Sequence, residues 1–345
     1  MEKIKEKIVK CLIWDLDNTL WDGVITEDKT VALREGAAKV VKTLDERGIL
    51  QSIASRNNYH EAMEQICAFG LDKYFLYPQI NWGNKSASVA RIIEELNIGA
   101  DTVAFIDDQQ FELDEVLHSF PEVFCLLADE YQVLIDHPRF MPPIITADTR
   151  RRREMYLSDK DRNQAELAYE GPQEEFLRSL WMRLSILPAE QGDLMRVIEL
   201  TERTNQLNTT GYTYSYEQLE ALRVSREYKL LIIGLEDIYG TYGKVGLVLL
   251  NLQEEEWIID LFIMSCRVMS RGIGTVVMNY LMKKAKLNQK RLFAKFIQTD
   301  RNRMMLLSYS LAGFHPVEEK EGYTLLENDL LYIRETPDYM ELRDS

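Results

Sequence analysis

With 345 residues, 46% of them hydrophobic and 28% charged, the chain has the composition of a folded protein of about two domains, which excludes disordered, collagen-like and low-complexity classes. Its 41 basic against 56 acidic residues leave a net charge of −15, which argues against non-specific nucleic-acid binding and against anionic membranes. Cys11, Cys67, Cys125 and Cys266 form no CxxC pair, and His60, His118, His137 and His315 are scattered, so neither a disulfide scaffold nor a zinc cluster is expected. No stretch approaches the length of a membrane span and the first residues hold no signal-peptide core, so we expect a soluble cytoplasmic protein.

The first third alternates strand and helix signals. CLIW (Cys11–Trp14) is a buried strand run ending at Asp15. Gly36 to Arg47 has helical spacing and is stopped by Gly48; Ile49–Ser55 reads as a strand, Tyr59–Phe69 as a helix closed by Gly70, and Tyr74–Tyr77 as a short strand before Pro78. Lys85–Leu96 follows as a helix, then Thr102–Ile106 and Val123–Leu127 as strands. This alternation predicts an α/β domain over residues 1–140 with a parallel sheet, whose ligands belong at the carboxyl ends of the strands.

Asp136–Thr149 holds three of the nine prolines, Arg150–Arg153 is a run of four arginines, and Glu154–Leu180 reads as charged helix broken at Gly171-Pro172, so 141–180 is expected to be a linker with helix. Residues 181–345 read differently. Strands are predicted at Leu184–Leu187, Tyr228–Glu236, Gly243–Asn251, Trp257–Ser265, Arg291–Phe296 and Leu325–Leu331, with helices at Gly192–Thr201 and from Gly274 to Lys286. This is an α+β domain with mostly antiparallel strands.

Two strings carry chemistry. In Asp15-Leu16-Asp17-Asn18-Thr19, two carboxylates leave a buried strand at i and i+2, a spacing that sets one at a phosphorus atom and the other nearby as acid/base. An anionic substrate there requires Mg²⁺ between the charges. Ser55 ends a strand, Lys85 opens a helix and can neutralise developing charge, and Asp107 and Asp108 end another strand and complete a metal shell. The stretches from Thr19 to Gly36 and from Ser55 to Lys85 are too short for an inserted cap domain, so the site is expected to be open. The second string is Met264-Ser265-Cys266-Arg267-Val268-Met269-Ser270-Arg271-Gly272-Ile273-Gly274-Thr275, between an apolar strand and a helix. Consecutive amides in such a turn form an anion cradle, and a thiol near Arg267 and Arg271 is a candidate acyl carrier.

The first set resembles the haloacid dehalogenase (HAD) superfamily of phosphotransferases. The resemblance implies a Rossmann-like parallel sheet without a large cap, with Asp15 as nucleophile, Asp17 as acid/base, Thr19 and Ser55 positioning phosphate, Lys85 stabilising charge, and Asp15, Asp17, Asp107 and Asp108 at the Mg²⁺. The second string resembles the pyrophosphate loop of GNAT acyltransferases, which grip coenzyme A, although Met269 stands where that family has Gln or Arg. Together, CLIWDLDNTLWDGV (Cys11–Val24), AFIDDQQFELDEV (Ala104–Val116), RTNQLNTTG (Arg203–Gly211) and MSCRVMSRGIG (Met264–Gly274) resemble the FkbH-like family of polyketide pathways. That resemblance implies a glyceryl transferase/phosphatase that takes 1,3-bisphosphoglycerate and loads a D-glyceryl unit onto the phosphopantetheine arm of an acyl carrier protein. Cys266 would carry the acyl group, with Asn205, Gln206 and Asn208 positioning substrate and His315 a candidate base. Arg150–Arg153 and the set Lys283, Lys284, Lys286, Lys290 and Arg291 are the candidate docking faces for that carrier. Two other readings stay open: a phosphatase whose second domain only recognises a phosphorylated protein or small molecule, and a non-catalytic scaffold.

Overall fold

The computed structural model describes residues 7–28, 30–204 and 206–344. The chain divides into two compact units, Met1–Leu157 and Ser158–Ser345.

In unit 1 the order is β1 (Cys11–Trp14), a short ribbon of β2 (Trp21–Asp22) and β3 (Ala32–Leu33), α1 (Ala37–Glu46), β4 (Leu50–Ser55), α2 (Tyr59–Ala68), β5 (Gln79–Ile80), α3 (Lys85–Leu96), β6 (Val103–Asp107), α4 (Gln110–Ser119), β7 (Phe124–Leu127) and α5 (Ala147–Arg150). The five-stranded sheet runs β5-β4-β1-β6-β7, and each neighbouring pair is parallel. Apolar runs buried on both faces make its central strands, and the amphipathic spacing of α1 puts Ala37, Val40, Val41 and Leu44 against it. This is the parallel α/β sheet expected, and only the small β2–β3 ribbon and α2 fill the places where a cap domain would be inserted.

The strand predicted at Tyr74–Tyr77 is displaced. Phe75 makes an isolated bridge to Gln51, Tyr77 takes a left-handed φ of 50°, and the chain pairs with β4 only after Pro78, at Gln79–Ile80.

The stretch 141–180, read as a linker with helix, is shared between the two units. Its first part is fixed on unit 1: a Cβ at Gly48 (φ 67°) would come within 2.5 Å of Thr149, Arg152 donates to the Gly48 carbonyl at 2.7 Å, and Arg153 pairs with Asp45 at 2.9 Å. It continues as α6 (Arg152–Ala168), whose Arg162 belongs to the core of unit 2, and α7 (Gln173–Ser179) follows the break at Gly171-Pro172. Within the arginine run, Arg152 and Arg153 thus contact unit 1, and Arg151 pairs with Glu154 at the surface. In the second basic set Lys283 pairs with Glu335, Lys284 with Asp344 and Arg291 with Glu327, while Lys286 and Lys290 donate to the carbonyls of Leu330 and Glu254.

Unit 2 continues with β8 (Met182–Pro188), α8 (Leu194–Arg203), α9 (Tyr216–Val224), β9 (Tyr228–Asp237), β10 (Gly240–Leu252), β11 (Glu256–Met264), α10 (Ile273–Leu287), β12 (Arg291–Phe296), α11 (Arg303–Leu311), β13 (Phe314–Lys320), β14 (Tyr323–Asn328) and β15 (Met340–Asp344). Its eight strands form one sheet, β13-β14-β12-β11-β10-β9-β8-β15, antiparallel except for β11–β12 and β8–β15. The α+β class is as expected; α9, α11, β13 and β15 are additions to the sequence reading. Among the described residues, no helix is long and apolar enough to cross a membrane.

Candidate active site

The sheet order of unit 1 explains why its acidic strings meet. The chain passes from β1 to β4 and β5 on one side, then crosses to β6 and β7 on the other, so the ends of β4, β1 and β6 lie side by side at the point where strand order reverses. Ser55 closes β4, Asp15 follows β1 and Asp107 closes β6. The Asp15 N–H donates to the Ile106 carbonyl at 2.9 Å, which continues the ladder to the acids themselves.

Asp15, Asp107 and Asp108 each offer a carboxylate oxygen, all within 4.8 Å of one another. Lys85, at the first turn of α3, drives its ammonium between them. Nζ donates to Asp15 Oδ1, to Asp107 Oδ2 at 2.9 Å and to the Ala54 carbonyl at 2.9 Å. Burial alone would pull the Lys85 ammonium down, but the two carboxylates outweigh it and hold the group above its usual range. Burial, then repulsion from Asp15, pushes Asp107 up to about 7, and the same two causes raise Asp108.

Asp17 departs from its expected place. Its Oδ1 accepts from Trp21 Nε1 at 2.8 Å and from the Ile25 N–H at 3.1 Å, and its Oδ2 from Asn57 Nδ2 at 2.8 Å. The carboxylate is thus turned into its own loop, where buried donors satisfy both oxygens, and it is not one of the clustered ligands. As a side-chain metal ligand it is a correction to the sequence reading.

Three buried side-chain atoms in unit 1 lack a hydrogen-bond partner among the described residues: Thr19 Oγ1, Asn57 Oδ1 and Glu112 Oε2. Their residues follow β1, β4 and β6 respectively, at the same end of the sheet. A buried polar atom without a partner is costly, so three at one strand end indicate a place completed by a ligand. With an all-oxygen carboxylate set beside them, the residues fit Mg²⁺: Asp15, Asp107 and Asp108 would hold it, and when bound it would screen a phosphoryl group from their charge. Thr19 and Ser55 are both buried here.

Sequence reasoning missed Asn57, Glu112 and Glu115. Glu112 is buried, with burial raising its carboxyl, and pairs through Oε1 with Arg56 at 2.9 Å. Glu115 supplies from α4 the cap that Asn84 does not give to α3: it accepts from the Ser86 N–H at 3.0 Å, one residue beyond Lys85. Asn57 lies two residues past Ser55, and Glu112 lies inside the quoted AFIDDQQFELDEV string; both were legible only as polar residues of a loop and a helix.

In unit 2, Cys266 is exposed at the start of a 3-10 turn (Cys266–Arg271) that links β11 to α10. Its neighbours Ser265, Val268 and Met269 line a cavity of about 290 Å³ with Phe262, Met264, Met278 and Met305. The two arginines expected beside the thiol are engaged elsewhere. Arg267 donates to the Tyr242 carbonyl at 2.9 Å and faces Asp159 at 3.7 Å; Arg271 is buried, pairs with Glu166 at 2.9 Å and stacks near Phe176. Both guanidiniums brace the turn through these contacts. Gln206 is exposed, Asn205 lies outside the described residues, and Asn208 Oδ1 accepts from the Thr210 and Gly211 N–H groups rather than facing a substrate. His315 is exposed on β13, at the edge of the sheet.

No family model matches the chain, and no curated protein matches it. Solved structures are similar to parts of it. The N-terminal part of BF1531 from Bacteroides fragilis, which contains a phosphatase domain and was solved with Mg, is 33% identical over 36% of this chain, with a TM-score of 0.30; the match covers 37% of that protein's own length. A HAD-superfamily hydrolase from Ehrlichia chaffeensis is 18% identical over 35% of this chain and 87% of its own, with a TM-score of 0.30. The ribosomal-protein-S18-alanine N-acetyltransferase from Escherichia coli is 12% identical over 42% of this chain and 90% of its own, with a TM-score of 0.32.

Proposed function

We propose that this chain is a Mg²⁺-dependent phosphatase joined to a glyceryl transferase. It takes 1,3-bisphosphoglycerate, releases phosphate, and delivers a D-glyceryl unit to the phosphopantetheine thiol of an acyl carrier protein. The observation that carries the reading is the buried Asp15–Lys85–Asp107–Asp108 cluster with three unpartnered polar atoms at the same strand ends.

The chemistry balances in two steps. An acyl phosphate is already activated, so the Cys266 thiolate attacks its carbonyl carbon, a thioester forms and phosphate leaves. The carrier's thiol then takes the acyl group by thioester exchange. At the remaining phosphate ester, an Asp15 oxygen attacks phosphorus, the alcohol oxygen departs with a proton, and water hydrolyses the aspartyl phosphate. Lys85 Nζ holds Asp15 in place and offsets the negative charge of the phosphoryl group. Asp17, as the acid/base, must first exchange its bonds to Trp21, Ile25 and Asn57 for the leaving oxygen.

Mass spectrometry of the intact protein with Mg²⁺ and 1,3-bisphosphoglycerate generated in situ tests the transfer step. Wild type should gain a glyceryl or phosphoglyceryl mass that Cys266→Ala lacks. Phosphate release without an adduct on wild type would instead favour a phosphatase whose second unit serves recognition alone.

The metal is tested without turnover. Two buried carboxylates and a half-buried third lie together with the single Lys85 ammonium, a repulsion that a divalent cation would relieve, so Mg²⁺ would bind the folded state in preference to the unfolded one. At a hundred times its Kd it should stabilise unit 1 by about 2.7 kcal/mol, a rise in Tm of roughly 5–10 °C that EDTA reverses. An identical melt with and without Mg²⁺ would remove the ion from the proposal.

A further inference from the structure

The GNAT-like half raises the expectation of coenzyme A, and the chain's own backbone stands where its arm would lie. β11 leads through the 3-10 turn Cys266–Arg271 to Gly272–Thr275, where a pyrophosphate would be gripped. An arm reaching back from that turn carries two amides in series and binds by pairing with a free strand edge, as an added strand does. In β11 one edge is fully used by β10, with register running from Trp257 to Met264. The other edge pairs with β12 only as far as Ile259, opposite Ala294, and beyond that point the two parallel strands are no longer joined.

The gap is filled from within. Asn208 forms an antiparallel bridge with Ile263. The Met264 N–H donates to the Leu207 carbonyl at 2.9 Å, the Thr209 N–H to the Phe262 carbonyl at 3.1 Å, and the Phe262 N–H to Thr209 Oγ1 at 3.0 Å. On the far side the Ile297 N–H donates to the Thr209 carbonyl at 2.9 Å, and Asn302 Nδ2 donates to the Asn208 carbonyl at 3.0 Å. Asn208, Thr209 and Asn302 are all buried, and Asn208 Oδ1 locks the following turn by accepting from Thr210 and Gly211.

We infer that Leu207–Thr209 is a built-in strand that closes the gap between β11 and β12 to a pantetheine arm, so that unit 2 binds neither coenzyme A nor a carrier's arm along the β11 edge. A substrate thiol then meets the exposed Cys266 without pairing its arm along β11. The inference stands whether or not Cys266 carries an acyl group.

Calorimetric titration of the full chain with coenzyme A and acetyl-coenzyme A to about 1 mM, paired with hydrogen exchange, tests it. The expected result is no saturable heat, with the Phe262, Met264 and Ile297 amides exchanging equally slowly with and without ligand. Binding that leaves these amides unchanged places the ligand elsewhere and keeps the gap closed. One-to-one binding with Kd below about 100 µM, together with altered exchange at Phe262 and Met264 or across residues 207–211, overturns the inference.

Discussion

Asp15→Asn is expected to lower phosphate release by at least about a thousand-fold while leaving the Tm of unit 1 unchanged or higher. The two halves of this result have one cause. In the proposed role of nucleophile Asp15 would have no substitute: an amide oxygen does not form the acyl phosphate, and Asp107 is held by Lys85 and by the Gln109 N–H at 2.9 Å. As a charge, however, Asp15 is a burden on the fold. It is buried within reach of two other carboxylates and is the second cause, after burial, of the upward push on both. Asparagine removes that repulsion and keeps an oxygen that can accept from Lys85 Nζ, which retains Asp107 and the Ala54 carbonyl. Phosphate release from a small ester and a thermal melt on the same preparation check both parts. Retention of more than about a tenth of the activity would show that the nucleophile is another group. A large loss of Tm would show that Lys85 depends on the Asp15 charge more than the cluster suffers from it.

The contrast between the halves of this chain shows what a single sequence carries. The acidic strand ends of unit 1 were legible because the chemistry changes abruptly there: CLIW is wholly apolar and the next residue is Asp15; VAFI is wholly apolar and Asp107-Asp108 follow. Parallel strands put all such transitions at one end of the sheet, so local patterns sufficed to assemble the site. Roles that depend on distant partners were not legible. Arg271 reads beside Cys266 as a cation for a thiolate, but its partner Glu166 lies 105 residues away. Arg153 reads as part of a basic run, yet Asp45, 108 residues earlier, takes its charge. The turn of Asp17 toward Trp21 and Asn57 follows from the packing of a loop, which no spacing rule reports.

Edge elements were illegible for a different reason. β13 is FHPVEEK, exposed at all but its first residue, and β15 is MELRD, buried only at Met340. Neither shows the alternation that half-buried strands carry, because an edge strand on a well-covered sheet needs few apolar contacts and benefits from charges that discourage further pairing. Leu207–Thr209 is similar in kind. It pairs with β11 through only a few bonds, and its sequence reads as a polar loop, so its place in the sheet is set wholly by the gap it fills.

The largest effect on stability is expected at Arg162. Its side chain is 1% exposed and that of Asp237 is fully buried. The guanidinium forks onto Asp237 at 2.7 and 3.0 Å, pairs with Asp159 at 2.6 Å, donates to the Gly240 carbonyl at 3.0 Å, and lies 3.7 Å from the centre of the Tyr242 ring, whose hydroxyl donates to Asp237. Arg162→Leu leaves Asp237 as a buried anion without its cation, at a cost of about 3–5 kcal/mol, or a fall of roughly 6–20 °C in the Tm of unit 2. Arg162→Lys should recover little, since an ammonium cannot form the two-pronged contact or cover the Tyr242 ring in the same way. The double variant Arg162→Leu with Asp237→Leu separates two explanations. If the loss in the single variant is the penalty of an uncompensated charge, removing the charge restores more than half of the Tm, since two well-packed apolar residues replace a buried pair at small cost. If instead the double variant melts as low as the single one, the stabilisation lies in the bonds to Gly240, Asp159 and Tyr242, and Asp237 is a follower. α6 carries Arg162 five residues beyond Leu157, so the contact anchors the helix at the start of unit 2.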